Sequence, residues 1–339
     1  CEVYFLGRGA ISLSGNFVED STLRPFFIVG HPRSGTTLLR FMLSSHPRLH
    51  VPDETGFLPF LNTNPREALD RTAVTALLRR IGQLNRFWDG LVTDEAAFYA
   101  DLPQPTSPFV LDALYRLQVP PGTPRWGDKT PLYVQYMPQI QAIFPRAQFI
   151  HVIRDGRDAA LSARAKWGRS RPYMDLSYLL RNWVRNVRAG RSADNLPDPG
   201  RYYELRYEAL IGSPQDTLHD LCLFLGESYD PAMLDYRQAA RREGGGVDAH
   251  VEAQEALNSD SIGRWQREMT IFERKLARAT AGPLLAELGY EADEDLAPLT
   301  TADRLHLTWL STRFQALDSL RAWLYRRGLL TLNYNRRRQ

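Results

Sequence analysis

The sequence predicts an α/β fold in which helices cover both faces of a parallel sheet. Two short, continuous apolar runs, at residues 26–29 and 149–153, are each followed by a polar turn and then by a helical pattern. A continuous apolar run is typical of a strand buried on both faces, and strands that alternate with helices favour parallel pairing. Ligands of such sheets bind at the carboxyl ends of the strands. The turns after these two strands are therefore the first places to look for a functional site.

The first strand-loop-helix unit begins after Pro25. Residues 26–29 form the predicted strand, and residues 30–35 form a turn bounded by glycines. From Thr36 onward, apolar residues recur at helical spacing until His46 and Pro47 end the helix. Residues 65–118 have the pattern of helices and loops without a repeat, which predicts a helical insert.

The second unit has its strand at residues 149–153, its turn at 154–157 and its helix from about residue 158 to 167. A weaker strand is predicted at residues 202–207. The helix after it has Ser213 as a suitable N-cap, Pro214 at its first position and Gly226 at its end.

Composition places the 339-residue chain among ordinary globular proteins, as one large domain or two small ones. Apolar residues make up 43% and charged residues 24%, which argues against disorder or a disulfide scaffold. A net charge of +3 is too small for a dedicated nucleic-acid binder. Cys1 and Cys222 give little support to a structural disulfide, and neither a signal peptide nor a transmembrane segment is indicated. We expect a cytoplasmic protein.

Two segments have more than one interpretation. Residues 303–339 carry apolar residues at helical spacing and, from Arg321 onward, six arginines and no carboxylate. They fit a helix packed on the domain with a solvated basic end, or a segment that docks peripherally on a membrane surface or on a partner. The glycine-rich run at residues 242–249 fits either a mobile segment over the sheet edge or an exposed linker. The oligomeric state stays open.

The first turn resembles a phosphate-binding loop with one departure. Gly30, Gly35 and Thr37 match the pattern G-x-x-x-x-G-K-[ST], but Thr36 stands where the lysine belongs. Backbone N–H groups of such a loop still form an anion cradle at a helix N-terminus, and Arg33 supplies positive charge. Phosphoryl transfer also needs Mg²⁺ held by carboxylates. A sulfuryl group carries less negative charge, so arginine, lysine and N–H donors suffice for its transfer.

The second turn supplies a second candidate anion site. Arg154 follows the strand directly, and Ser162 lies about two helical turns further on, so a guanidinium and a hydroxyl could hold a phosphate together. A competing interpretation takes Asp155 as a Mg²⁺ ligand of a nucleotide-dependent kinase. Three further basic residues either add to this site or form an ordinary basic surface: Arg157, Arg164 and Lys166.

These residues together resemble the sulfotransferases that use 3′-phosphoadenosine 5′-phosphosulfate (PAPS). The resemblance rests on PRSGTTLLR at residues 32–40, the Glu-Thr pair at 54–55, DKTP at 128–131 and VIRDGRDAALSARAKW at 152–167. The chain is most similar to the branch that contains the tyrosylprotein sulfotransferases and bacterial relatives. The resemblance implies a P-loop-like, three-layer α/β/α fold at residues 25–292, after an N-terminal segment (1–24) and before a C-terminal helical extension (293–339).

The resemblance also implies how the donor is held. Arg154 and Ser162 would bind its 3′-phosphate, and Tyr207 would lie near that phosphate, although a tyrosine packed at a sheet end is an equal alternative. Ser261, or else Ser259, would touch the 5′ side of the cofactor. The 5′-phosphosulfate would be held by the residues of the first loop: Arg33, Ser34, Gly35, Thr36 and Thr37.

In-line transfer requires a general base for the acceptor hydroxyl and a cation at the leaving oxygen. Glu54 is the candidate base, with Asp53 as its competitor. Lys129 is the candidate cation, with Arg33 as a second contributor. The alternative for Lys129 is an exposed ion pair with Asp128.

We expect metal-independent catalysis, because the histidines and cysteines show no ligand spacing. The acceptor would be a hydroxyl of a carbohydrate, a lipid, a small molecule or a protein tyrosine, bound by loops within residues 56–125 and 168–181. Aromatic residues there fit an apolar acceptor site or ordinary core packing: Phe57, Phe60, Trp88, Phe98, Tyr99 and Tyr173. The alternatives are a kinase of the same fold and a non-catalytic nucleotide-binding module.

Overall fold

The computed structural model of the chain describes residues 23–61, 63–168, 174–192, 196, 198–242, 259–293 and 296–326. The strands among them are β1 (Phe26–Gly30), β2 (Leu49–His50), β3 (Arg125–Lys129), β4 (Gln148–Ile153) and β5 (Tyr202–Arg206). They form one sheet in the order β2-β3-β1-β4-β5, with every neighbouring pair parallel. The predicted α/β class with a central parallel sheet is confirmed.

Helices surround this sheet and fill the connections between its strands. The three helices between β2 and β3 form the expected helical insert. In chain order the helices are α1 (Thr36–Ser44), α2 (Arg71–Leu84), α3 (Glu95–Ala100), α4 (Ser107–Arg116), α5 (Met137–Ile143), α6 (Gly156–Trp167), α7 (Leu176–Arg191), α8 (Tyr207–Gly212), α9 (Pro214–Leu225), α10 (Tyr236–Arg242), α11 (Arg264–Glu268), α12 (Ile271–Glu287) and α13 (Thr301–Arg326).

The continuous apolar run of β1 packs on both faces of the sheet. Phe27 and Val29 belong to a buried cluster with α2, α4 and α5, whereas Phe26 and Ile28 belong to a second cluster with α1 and α9. Successive side chains of a strand point to opposite faces, so each face receives half of the run. A third cluster joins α6, α7 and α12. The three-layer arrangement explains why this strand shows no polar alternation.

The C-terminal helix α13 packs against α7. Leu310 is buried in the third cluster, and Arg185 donates to Asp318 at 2.5 Å. The helix predicted within residues 303–339 is present as far as Arg326; its arginine-rich end, Cys1, most of the glycine-rich run and Tyr173 lie outside the described residues. Of the helices that are described, none has the length and hydropathy needed to cross a membrane.

Several local features differ from the sequence predictions. Helix α6 begins two residues early, at Gly156, because the Asp155 carboxylate accepts a bond from the backbone N–H of Arg157 at 2.8 Å. Tyr207 lies beyond β5, as the first residue of α8. Ser213 is the N-cap of α9, but its side chain makes no capping bond. The sequence does not predict β2 and β3, since β2 has two residues and the β3 sequence RWGDK is mostly polar.

Candidate active site

Four of the parallel strands bring the candidate residues to one edge of the sheet. The loop before α1 follows β1, Lys129 ends β3, Arg154 follows β4, and Tyr207 follows β5. Because the strands are parallel, these segments all emerge at the carboxyl edge, where ligands of open α/β sheets bind. The sheet therefore brings together residues that are up to about 170 positions apart in the chain.

The first loop holds a backbone shape that needs its two glycines. Gly35 has φ of +92°, and a Cβ atom there would lie 2.3 Å from the Tyr207 ring. At Gly30, a Cβ atom would lie 2.5 Å from the Val152 carbonyl oxygen. Arg33 also has a positive φ, of 72°, which is a strained conformation for a residue with a side chain. Such strain persists only where the surroundings enforce it, and here it turns the loop around an N-terminal helix end.

Arg33, Arg154 and Ser162 form one connected cluster beside this loop. Arg33 Nε donates to Ser162 Oγ at 3.1 Å, and Arg154 Nη1 donates to the Arg33 carbonyl at 3.1 Å. The Arg154 guanidinium lies 4.5 Å from the centre of the Tyr207 ring. The structure thus brings the residues assigned to the 5′ and the 3′ groups of the donor into direct contact with one another.

Ser261 joins this cluster, and the side chain of its alternative, Ser259, lies outside the part of the chain that the structure describes. The Ser261 carbonyl accepts a bond from Arg154 Nη2 at 2.6 Å, and its hydroxyl lies 2.9 Å from the Tyr207 hydroxyl. The Asp158 carboxylate of α6 holds the segment in place by accepting bonds from the backbone N–H groups of Gly263, at 2.7 Å, and Trp265, at 2.9 Å.

Two buried polar atoms, one in the cluster and one in the adjoining first loop, lack a hydrogen-bond partner among the described residues. They are Arg154 Nε and Ser34 Oγ. A buried donor without an acceptor costs about 1–3 kcal/mol, and more when it is charged. Acceptor oxygens placed at this loop would remove that cost. The donor set fits a ligand with more than one anionic group, such as a nucleotide with separate phosphates.

Glu54 and Lys129 form an ion pair at the same edge. Lys129 Nζ contacts Glu54 Oε1 and lies 3.3 Å from Thr37 Oγ1, the last hydroxyl of the first loop. The alternative of an exposed Asp128–Lys129 pair is wrong, because both residues are buried and Lys129 pairs with Glu54. The carboxylate and the ammonium therefore stand next to the anion cradle.

Asp53, the competitor of Glu54, points elsewhere. Its carboxylate accepts a bond from Arg40 Nη1 at 2.8 Å, and its side chain is 74% exposed. The Glu54 side chain is 23% exposed, so it is shielded yet still open to a reactant. Geometry favours Glu54 as the group that works on a substrate held at the loop.

The remaining charges of the second turn belong to the fold. Asp155 pairs with Arg157 at 2.7 Å, and the Arg157 guanidinium lies 3.6 Å from the centre of the Trp265 ring. Arg164 pairs with Glu273. The Mg²⁺ role considered for Asp155 loses support, because its carboxylate is engaged by an arginine. Within the part of the chain that is described, no group of three or more His, Cys, Asp or Glu side chains is arranged to hold a metal ion.

For two of the aromatic residues considered for an acceptor site, the structure favours the alternative of core packing. Phe57 and Trp88 lie in the first buried cluster, with ring centres 5.3 Å apart, and cannot line an open site. Phe87, which the sequence does not single out, is 55% exposed. Phe87 lies two residues after Asn85, whose side chain donates to the Glu54 carbonyl at 3.1 Å. No sequence signal reveals this hydrogen bond, because Asn85 lies 31 residues beyond Glu54, at the C-terminal end of α2.

The fold and the site define an α/β protein with a phosphate-loop-like anion cradle beside a carboxylate–ammonium pair. A model of the sulfotransferase family matches residues 25–231. The match spans more than half of the 339 residues, and the chain belongs to the sulfotransferase family.

Individual relatives show the same similarity. The chain is 26% identical to Protein-tyrosine sulfotransferase 1 of Danio rerio over 292 residues, which are 84% of this chain and 77% of the fish protein. It is 26% identical to Nodulation protein NoeE of Sinorhizobium fredii over 294 residues, which are 78% of this chain and 65% of that protein. The sulfotransferase domain from the Synechococcus PCC 7002 olefin synthase superposes with a TM-score of 0.51 at 26% identity, covering 76% of this chain and 94% of the domain.

Proposed function

We propose that this chain transfers a sulfuryl group from PAPS to a hydroxyl acceptor. The observation that carries the proposal is that the arginine-rich anion cradle and the Glu54–Lys129 pair meet at one edge, where Lys129 lies 3.3 Å from the loop hydroxyl of Thr37. Membership of the sulfotransferase family supports the reaction class.

The residues of the cradle suit a donor with two separated anionic ends. Arg154 and Ser162 would hold the 3′-phosphate, with Tyr207 and Ser261 beside them. Bound there, PAPS supplies an activated sulfuryl group and leaves as adenosine 3′,5′-bisphosphate (PAP). The 5′-phosphosulfate would be held by the first loop and the start of α1: Arg33, Ser34, Gly35, Thr36 and Thr37.

Glu54 would act as the general base. As the acceptor oxygen bonds to sulfur it must lose its proton, and a carboxylate in reach can take it. Lys129, with Arg33, would stabilise the negative charge that develops on the leaving oxygen. A cation placed there favours the transition state over the ground state.

The acceptor would be a hydroxyl of a carbohydrate, a lipid, a small molecule or a protein tyrosine. Relatives include enzymes named for protein tyrosine, which makes a phenolic hydroxyl the first to test. The exposed Phe87 ring, on the turn tethered to the Glu54 backbone, would offer an apolar contact close to the base.

The test is a transfer assay with PAPS labelled in its sulfuryl group. A tyrosine peptide, a simple phenol and a sugar alcohol serve as acceptors, and ATP labelled in its γ-phosphate serves as the competing donor. We expect the sulfuryl label to reach at least one hydroxyl with release of PAP, and no label to move from ATP. Transfer from ATP would favour the kinase alternative. PAP binding without any transfer would favour a non-catalytic module.

A further inference from the structure

Glu54 and Lys129 each have a chain neighbour that is buried in the core. Thr55 follows Glu54 and Asp128 precedes Lys129, and Thr55 Oγ1 donates to Asp128 Oδ2 at 2.5 Å. Both are almost fully buried, with 2% and 1% exposure. The same two chain segments are thus joined twice, by an ion pair at the site and by a hydrogen bond beneath it.

Two tyrosines extend this buried contact. The Tyr115 hydroxyl donates to Asp128 Oδ2 at 2.5 Å, and the Tyr133 hydroxyl lies 2.7 Å from Thr55 Oγ1. Since Thr55 gives its proton to Asp128, Tyr133 donates to Thr55. The Thr55 backbone N–H donates to Thr130 Oγ1 at 3.2 Å, which adds a further link to the segment that follows β3.

Asn85 holds the same stretch of backbone from the other side. Its Nδ2 donates to the carbonyl of Glu54 at 3.1 Å and to that of Thr55 at 2.8 Å. Asn85 is itself 2% exposed at the C-terminal end of α2. The peptide unit between Glu54 and Thr55 and the one after Thr55 are therefore held by side chains from two other segments, the end of α2 and the residue after β3.

Burying the Asp128 carboxylate in the core costs free energy. Burial raises the pKa of Asp128 to about 6, although the hydrogen bonds from Thr55 and Tyr115 act to lower it. Its Oδ1 has no hydrogen-bond partner among the described residues. Apolar side chains of similar size would fill the same volume at lower cost. Buried polar networks of this kind fix one geometry, and a reacting group benefits when its geometry is fixed.

We propose that Thr55, Asp128 and Asn85 are positioning residues that hold Glu54 against Lys129 in the geometry needed for transfer. This inference rests on the proposed function of Glu54 as the base. The three residues, called here the Thr55–Asp128 clamp, do not touch the reacting atoms. They act through the backbone of residues 54–55 and 128–129.

The test compares Thr55→Val, which keeps the shape and loses the hydroxyl, with Thr55→Ser, which keeps the hydroxyl. In Thr55→Val we expect kcat to fall roughly 10- to 100-fold, with PAP affinity unchanged, and in Thr55→Ser we expect most of kcat to return. Leu218→Ala, in the second buried cluster, is the control for stability. If Thr55 only stabilised the fold, Leu218→Ala would lower kcat as much as Thr55→Val does when the two variants have similar Tm values. That result would overturn the proposal.

A second readout does not depend on turnover. Lys129 is buried and paired with Glu54, so its rate of modification by an amine-acetylating reagent reports how tightly the pair is held. Lys275, which pairs with Asp303, is the internal reference. We expect faster labelling of Lys129 in Thr55→Val and in Asn85→Ala, and no change in Leu218→Ala. Unchanged labelling together with unchanged kcat would overturn the clamp. Faster labelling in a chain whose wild type transfers no sulfuryl group would support the clamp and contradict the proposed function instead.

Discussion

The two halves of the sheet edge differ in the polar groups that they leave unpaired. In the phosphate half, built from the first loop and the segments after β4 and β5, the unpaired buried atoms include an arginine donor, Arg154 Nε. In the transfer half, built from the segments after β2 and at the end of β3, Glu54 pairs with Lys129. The buried atom there that has no partner among the described residues is an acceptor, Asp128 Oδ1. The phosphate half would therefore be completed by an anion from outside, whereas the transfer half is already assembled from protein groups.

Because the two halves use different groups, mutation should separate binding from transfer, and Glu54→Gln should show the largest effect. Removing a general base lowers the rate by about 10²- to 10⁴-fold. PAP affinity should stay unchanged, because Glu54 lies outside the phosphate half. Transfer assays and PAP titrations on the same preparation measure both quantities. Asp53→Asn is the matched control and should transfer at the wild-type rate, and equal losses in both variants would break the comparison.

Arg154→Ala should act in the opposite way, on binding. Removing one partner of a buried charged contact costs about 2–4 kcal/mol, which is roughly 30- to 1,000-fold in the dissociation constant for PAP. Arg164→Ala is the control, since Arg164 already pairs with Glu273 outside the cluster. If PAP bound equally well to both variants, the assignment of the phosphate half would be wrong.

Gly35→Ala tests whether the cradle depends on its backbone shape. Gly35 and Gly90 both have positive φ, of 92° and 69°, but only Gly35 faces a ring that an added Cβ would strike. Backbone strain alone costs about 1 kcal/mol. We therefore expect Gly90→Ala to lose that amount of unfolding free energy, and Gly35→Ala to lose about 1–3 kcal/mol and also PAP affinity. Chemical denaturation and titration check the two values, and identical losses would show that the contact with Tyr207 does not matter.

The smallest effect concerns stability against pH, which should have opposite signs in the two halves. Burial, and then Arg185, lowers the pKa of His31 beside the first loop to about 3, so the unfolded chain takes up this proton first and acid favours unfolding below about pH 6.5. Burial raises the pKa of Asp128 to about 6, so the folded chain takes up this proton first, and acid favours the fold between about pH 6 and pH 4. Either slope is at most about 1.4 kcal/mol per pH unit.

Denaturation curves of His31→Gln and Asp128→Asn, each against wild type, measure these slopes. As the pH falls, the stability advantage of wild type should shrink against His31→Gln and grow against Asp128→Asn. Slopes of the same sign would show that one of the two residues is not buried as described.

The phosphate half could be predicted from sequence better than the transfer half. Its loop, Arg154 and Ser162 sit in two local strand-turn-helix units, and a local pattern suffices to place them at one sheet edge. The contacts of Ser261 with Arg154 and Tyr207 could not be predicted from the sequence, because these residues lie 107 and 54 positions away from it. In the transfer half, Glu54 and Lys129 are visible by resemblance. Asn85, Tyr115 and Tyr133, however, bond to the neighbouring Thr55 across 30 to 78 residues, through hydrogen bonds that leave no periodic signal.

Calorimetric titration of PAP and ATP into the wild-type chain tests most directly whether the phosphate half binds the 3′-phosphorylated donor. We expect PAP to bind in the micromolar range, about −8 kcal/mol, and ATP, which has no 3′-phosphate for Arg154 and Ser162, to bind at least about tenfold more weakly. Equal or tighter binding of ATP would contradict the account.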